Sequence, residues 1–189
     1  MKLSNDSLKI SKALGLICIA TLAACAAPSG PMMTPFSQAA LPDAVKVPSG
    51  NVVKLESVGA GEITYECRAK AGMADQFEWV FVGPDAALSD RKGQRIGKYY
   101  GPPATWEASD GSKITGTQVA VAPAAAGSIP LQLVKANPAM GAGAMQGVTY
   151  IQRVATQGGV APSTACVASS MGQKQIVKYQ ADYIFWRAV

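Results

Sequence analysis

From Asn51 onward the chain consists of short runs in which apolar and polar residues alternate, separated by turn residues about every 8 to 15 positions. In "EITYECR", Ile63, Tyr65 and Cys67 share one face, and the polar neighbours share the other. The last run, "IVKYQADYIFW", alternates in the same way. A period of two is that of a half-buried strand, because successive side chains of a strand point to opposite faces. The pattern therefore predicts an all-β domain over residues 51–189.

Further strand-like runs are "QFEWVFV", "RIGKYY", "IPLQLVKA" and "VTYIQRVAT". Asp110-Gly111 divides "TWEASDGSKITG" into two halves, and this dipeptide favours the positive φ angles of a tight hairpin. We expect a single antiparallel sandwich or barrel of about eight or nine strands. Only Ala86–Leu88 and Ala165–Met171 are expected to form short helical turns.

The first 24 residues have the features of an export signal. Lys2, Lys9 and Lys12 precede an apolar segment, residues 13–24, which is shorter than the roughly 20 residues of a spanning helix. A basic start, a short apolar stretch and small residues at its end are typical of a secretory signal peptide. Residues 1–24 are therefore excluded from the predicted fold.

Leu22-Ala23-Ala24-Cys25 resembles the lipobox of bacterial lipoproteins. This resemblance implies that lipid is joined to the Cys25 thiol and that the chain is cut before Cys25; the alternative is an ordinary signal cut after Ala24 or Ala27. A lipidated chain is expected to be exported and held at the cell envelope by its anchor. Since Ala26 and not aspartate follows Cys25, a Gram-negative host would sort it to the outer membrane, facing the periplasm.

Between the lipobox and the first strand lies a segment without periodicity, residues 25–50. It is rich in alanine, serine and proline, and its prolines are Pro28, Pro31, Pro35, Pro42 and Pro48. Such a composition predicts a partly extended tether between the membrane and the domain.

The 4 cysteines support the export prediction. Cys18 lies in the signal and Cys25 would carry lipid, which leaves Cys67 and Cys166 in the domain. Two thiols in an oxidising compartment predict one disulfide, and two separate buried thiols are the alternative. Closing a loop of about 100 residues stabilises a fold by roughly 4 to 5 kcal/mol in the chain-entropy description.

Composition excludes several classes of protein and of site. A hydrophobic fraction of 49% and a charged fraction of 15% exclude general disorder. Removing residues 1–24, which hold three lysines and one aspartate, lowers the formal charge from +5 to +3, and this small surplus without a Lys/Arg cluster argues against a nucleic-acid partner. The chain has 0 histidines, so Ser-His-Asp and Cys-His mechanisms are impossible. We predict neither a cofactor nor a metal site.

Two long stretches resemble a known family. The strings "WEASDGS" and "GVTYIQRV", within "YECRAKAG…KITG" and "GVTYIQRVATQGGVAPSTAC…VKYQADYIFW", are similar to exported bacterial and fungal proteins grouped as domain of unknown function 3455. The resemblance runs from about Val47 to Phe185. It implies one extracytoplasmic domain and no established activity, and Cys67 and Cys166 match the family pattern.

The candidate ligand-binding residues are aromatic strand residues with two charged groups. Tyr65, Trp79 and Trp106 would line a pocket, and Glu107 and Arg153 would orient the ligand. The alternative for these aromatics is core packing. Arg153 would alternatively pair with Glu107 or Glu66 and hold two strands in register.

Three classes of function follow. An envelope lipoprotein with a structural or interaction role and a small-ligand-binding domain are the first two, with an envelope protein or a small ligand as partner. A carboxylate-dependent hydrolase such as a glycosidase, using Glu107 and Asp110, is the third. A cavity with converging polar groups would favour ligand binding, a filled interior would favour the interaction role, and a carboxylate pair with a strongly perturbed pKa would favour the hydrolase.

Overall fold

The computed structural model describes residues 34–189, and its eight strands form one antiparallel sheet that closes in a ring. The strands are β1 (Asn51–Lys70), β2 (Met73–Ser89), β3 (Arg95–Tyr100), β4 (Thr105–Ala108), β5 (Lys113–Ala122), β6 (Leu131–Ala136), β7 (Val148–Gly158) and β8 (Lys174–Ala188). Two 3-10 turns, Asp43–Val45 and Ala168–Ser170, are the helical elements of this part of the chain. The predicted all-β class is confirmed. The leader and the lipobox lie outside the described residues.

Each strand pairs with the next along the chain, and β1 also pairs with β8. The closing pair runs from Asn51 opposite Ala188 to Glu66 opposite Lys174. The pairing on the two sides of a strand differs in length: β2 pairs with β1 along its whole length and with β3 over residues 85–89, so its first part has one partner strand. The sequence predicts either a sandwich of two sheets or one sheet closed on itself, and the structure has the closed sheet. Within residues 34–189, no helix has the length and apolar character needed to cross a membrane.

The helical turn predicted at Ala86–Leu88 is wrong, because these residues lie within β2. Ala86 is paired with Gly61 on one side and with Tyr99 on the other. Pairing on both sides and burial override the weak helix preference of alanine. The second predicted turn is found, as the 3-10 turn Ala168–Ser170.

The inner face of the ring holds the main core. Its fully buried side chains include Trp106, Tyr183, Phe185, Leu88, Ile114 and Ile151. Tyr183 is accommodated by Gly59 across the β1–β8 pair, since a Cβ at Gly59 would lie 2.5 Å from the tyrosine Cε2. A closed sheet of eight strands has an interior just wide enough for such side chains to fill.

A second apolar layer covers part of the outer face. Residues 35–47, which we call the N-terminal strap, bury Val45 and Val47 against β5, β6, β7 and β8. Gln152 on β7 donates to Val45 O at 2.6 Å and to Gln38 Oε1 at 3.1 Å. Composition predicts a tether over residues 25–50, whereas residues 35–50 belong to the same compact unit as the sheet. Residues 25–33 lie outside the described part.

The predicted disulfide is confirmed. Cys67 on β1 is bonded to Cys166 in the β7–β8 connection, with 5.5 Å between the two Cα atoms. The bond fixes this long connection to the hairpin formed by β1 and β2. It closes a segment with a sequence separation of 99 residues.

The predicted hairpin at Asp110-Gly111 is present, with a different turn. The loop is Ser109–Gly111, Gly111 N donates to Ala108 O at 2.9 Å, and of these three residues only Gly111 has a positive φ, 86°. This is the pattern of a three-residue hairpin with a glycine bulge, not of a two-residue turn. Asp110 acts here through its carboxylate, which accepts from Ser112 N at 2.9 Å and from Ala144 N at 2.7 Å.

Candidate ligand-binding site

A cavity of about 230 Å³ lies at the end of the closed sheet where β3 leads into β4; we call it the end cavity. Its lining includes three aromatic residues and three polar ones: Phe81, Tyr99, Trp106, Gln118, Gln132 and Arg153. These residues come from six different strands, β2 to β7. The remaining lining residues are mainly small, proline or aliphatic. The cavity is therefore concave and mostly apolar, with a few polar groups converging on it.

One wall is a pair of stacked rings. Tyr99 on β3 and Trp106 on β4 are directly opposite each other, with ring centroids 4.8 Å apart and an angle of 23° between the planes. The ring of Tyr183 packs against both, with centroid distances of 5.0 Å to Tyr99 and 5.8 Å to Trp106. Such packing holds the rings in one orientation. The wall is thus rigid and flat.

Phe81 reaches the cavity because of an irregularity between β1 and β2. Thr64 pairs with Gly83 and Tyr65 with Phe81, so Val82 has no opposite residue. A bulge of this kind re-aims the side chains that follow it. Phe81 lies edge-on to Tyr65, with centroids 6.0 Å apart, and is 51% exposed at the rim.

The polar groups lie on adjacent strands. Arg153 on β7 is directly opposite Gln132 on β6, and its Nε and Nη2 both donate to Pro130 O, at 3.2 and 2.9 Å. Gln132 in turn donates to Gln118 Oε1 at 2.6 Å. No carboxylate of residues 34–189 lies within 4.0 Å of Arg153 in an ion pair. Arg153 is therefore the charged residue of the cavity lining.

The tyrosines of the interior are neutral. Burial raises the pKa of Tyr99, Tyr179 and Tyr183 above the ordinary value, and the positive charge of Arg153 offsets only part of this rise. Burial also raises the pKa of Tyr65, against the same opposing charge. The hydroxyls of Tyr179 and Tyr183 are 3.3 Å apart, and Tyr65 Oη donates to Gly159 O at 2.8 Å. At neutral pH no phenolate competes for Arg153.

Of the predicted ligand-binding residues, Trp106 and Arg153 line the end cavity and Tyr65 contacts its rim through Phe81. Trp79 is not part of the lining: its Nε1 donates to Thr164 O at 2.7 Å and fixes the β7–β8 connection. Glu107 is on the outer face, where it accepts from Tyr100 Oη at 2.8 Å and lies 3.2 Å from Lys113 Nζ.

The predicted combination of Glu107 with Arg153 is not assembled. Because Glu107 follows Trp106 on one strand, the two side chains point to opposite faces, and only Trp106 faces the interior. The predicted alternative of an ion pair also fails, since Glu107 pairs with lysines and Glu66 pairs with Arg68 at 3.1 Å.

The carboxylates proposed for a hydrolase are both held ionised. A hydrogen bond from Tyr100 lowers the pKa of Glu107, and hydrogen bonds from Ser112 lower that of Asp110. A glycosidase needs one carboxyl group whose pKa is raised, so that it can protonate the leaving group. This pair therefore lacks the acid that the mechanism requires. In residues 34–189 no three Cys, Asp or Glu side chains are grouped so that they could hold a metal ion.

Tyr99, Phe81, Gln118 and Gln132 were not predicted as site residues. Tyr99 alternates with its neighbours in "RIGKYY", but only the register that places it opposite Trp106 reveals the stacked wall. Phe81 depends on the bulge, and the two glutamines are ordinary polar strand residues in the sequence. None of these four positions carries a local signal of its role.

A model of the family described as "Protein of unknown function (DUF3455)" matches residues 48–187. The match covers β1 to β7 and all of β8 except its last residue. No curated protein matches the chain, and no solved structure does. The comparisons thus agree with the resemblance found in the sequence and add no activity to it.

Proposed function

Because the chain belongs to the DUF3455 family, whose description assigns no activity, we propose a function from its structure: the domain binds a small molecule in the end cavity. The observation that carries this proposal is the aromatic-walled space of about 230 Å³ at one end of the interior, beside a core of large buried side chains. Binding sites are typically concave and mostly apolar, with a few polar groups that orient the ligand.

The size of the cavity bounds the ligand. An apolar cavity of roughly 150 Å³ is enough to hold benzene. The end cavity is larger and carries polar groups on one side, so it suits a molecule of one ring with a polar substituent. The stacked rings of Tyr99 and Trp106 offer a flat surface for such a ring.

We further propose that lipid at Cys25 holds this domain at the envelope, at the outer membrane of a Gram-negative host and facing the periplasm. Support comes from Leu22-Ala23-Ala24-Cys25 and the signal before it. The disulfide between Cys67 and Cys166 is consistent with an oxidising compartment. The membrane is then the partner of the anchor, and the small molecule the partner of the domain.

The test is binding of three one-ring probes, benzoate, benzamide and benzylammonium, to the full chain, measured by titration calorimetry and tryptophan fluorescence. Gln118→Trp places a large side chain in the lining, and Thr117→Trp makes the same change on an exposed neighbour of β5. At least one probe should bind and should be lost in Gln118→Trp only. If no probe binds, or if both variants bind alike, the end cavity is not the ligand site.

Copurification from the native envelope, with mass spectrometry of both proteins and small molecules, separates this function from the interaction role. A small molecule retained by the wild type and lost in Gln118→Trp supports the proposal. A protein partner retained equally by both, with no small molecule, would support the interaction role instead.

A further inference from the structure

Resting on the proposed function, we infer the chemical class of the ligand: a small organic carboxylate with an aromatic or apolar body, whose carboxylate is bound by Arg153. Three features of the end cavity carry this inference. They are the positioning of the guanidinium, the absence of a counter-charge, and the donors that lie around it.

The guanidinium is fixed, but it is not saturated. Two of its N–H groups, on Nε and Nη2, donate to Pro130 O, while Nη1 has no hydrogen-bond acceptor among residues 34–189. Arginine has five N–H donors in a planar fork that matches the geometry of a carboxylate. Arg153 is therefore preorganised, with donors still available to a ligand.

Arg153 borders the end cavity and has no carboxylate partner among residues 34–189, whereas Arg68 and Arg91 are both paired with carboxylates. Arg91 bridges Glu56 and Asp182, at 3.0 and 2.6 Å, and lies on the outside of the sheet. Arg153 is half-buried on the inner face, beside neutral tyrosines whose pKa values its charge lowers in part. A half-buried cation among apolar groups favours an anion beside it, because burial weakens its hydration.

The other polar groups of the lining are consistent with an acceptor-rich ligand. Gln132 lies directly opposite Arg153 and holds amide donors, and the indole Nε1 of Trp106 is buried with no acceptor within the described residues. Trp106 is 1% exposed, so this N–H is a donor left without a partner in the protein. A carboxylate only accepts hydrogen bonds, so it complements the donors of Arg153 and Gln132. An ammonium group would face Arg153 and be repelled.

The body of the ligand is selected by the rings. Phe81, Tyr99 and Trp106 border the same space as Arg153, so a ligand whose carboxylate meets the guanidinium lays its remaining atoms against aromatic surface. This arrangement favours an apolar body over a sugar or a polyol. It also disfavours inorganic phosphate as the ligand, because phosphate has no apolar part to place against the rings.

The experiment compares benzoate with benzamide, its neutral counterpart of nearly equal shape, and with benzylammonium. In the wild type, benzoate should bind at least about tenfold more tightly than benzamide, since hydrogen bonds to charged groups are the stronger ones. Benzylammonium should bind most weakly. Raising the salt concentration should weaken benzoate and leave benzamide unchanged.

Arg153→Met should remove the difference between benzoate and benzamide, while Arg95→Met, the same change on an exposed outer residue, should leave it intact. Arg153→Lys keeps the charge without the fork and should retain only part of the preference. The comparison of probes in the wild type needs no variant to fold.

The outcomes separate the two proposals. If benzamide binds as tightly as benzoate, the domain binds small molecules but the ligand is not selected as an anion. If benzoate is preferred but Arg153→Met keeps the preference, another group binds the carboxylate. If no probe binds at all, the proposed function falls together with this inference.

Discussion

Replacing Gln152 by methionine should detach the N-terminal strap from the sheet. Gln152 is fully buried, donates to Val45 O and Gln38 Oε1, and accepts from Trp186 Nε1 at 2.9 Å. Methionine has a similar length but no amide, so the buried Val45 carbonyl and the Trp186 N–H lose their partner. Each buried group left without a partner costs about 1 to 3 kcal/mol. We therefore expect a loss of about 2 to 6 kcal/mol in the free energy of unfolding.

Urea unfolding with linear extrapolation measures this loss. Gln157→Met is the matched control, because Gln157 is exposed on the same strand and should change stability by less than about 0.5 kcal/mol. Trypsin cleavage after Lys46, within the strap, reports the local opening and should become faster in Gln152→Met only. A loss below about 1 kcal/mol with unchanged cleavage would refute the assigned role of Gln152.

Three further predictions concern other parts of the chain. Cys25→Ala should leave an unprocessed precursor without label from radioactive palmitate, and a wild type that also takes up no label would contradict lipidation. Cys67→Ser should lower the free energy of unfolding by about 4 to 5 kcal/mol, since it opens the loop to Cys166 with its separation of 99 residues; free thiols on both, found by peptide mapping of periplasmic protein, would contradict the bond. Asp110→Asn should reduce the loss of stability in acid. The pKa of this carboxyl is below its ordinary 3.8, so its contribution is present above 3.8 and is lost as the pH falls through the folded value; acid unfolding curves that coincide would contradict it.

The strands could be predicted from the sequence because their signal is local. On β8 the alternation in "IVKYQADYIFW" puts five residues on one face; Tyr179, Ala181, Tyr183 and Phe185 are buried on the inner face, and Val177 is partly buried against them. A period of two needs no knowledge of the partner strand. The disulfide could also be predicted from the sequence, because only two cysteines, Cys67 and Cys166, remain within the domain.

The strap could not be predicted in this way. Its composition, with Pro35 and Pro42 and no periodicity, is that of a linker. In the sequence, the clearest sign of an apolar surface for it to cover is at the end of β8. There Ile184 and Trp186 make the outer face apolar, although the three outward residues just before them, Lys178, Gln180 and Asp182, are polar. An apolar outer face at one end of a strand is a signal that something covers it, but it does not say what.

The site was predicted in part, and the error over Glu107 has a simple cause. Adjacent residues of a strand cannot both face one cavity, so Trp106 and Glu107 were incompatible as lining residues from the start. Arg153 stood out as a charge between Ile151 and Val154, and its inward orientation follows from the buried Ile151 two positions earlier. What alternation cannot supply is the register, and so the wall formed by Tyr99 and Trp106 had no sequence signal.

The end cavity exists because small residues occupy inward positions at that end of the sheet. Gly116 lies on the inner face of β5, where a Cβ would approach Val134 Cγ1 to 2.4 Å, so no larger side chain fits there without moving the backbone or Val134. One layer deeper the same interior is filled by Trp106 and Tyr183. The sheet thus changes from a packed core to an open recess over a few residues, and the recess is where Arg153 lies without a counter-charge. An apolar side chain at that position would avoid the cost of partly burying a charge, so the placement of Arg153 supports its proposed role in binding the ligand.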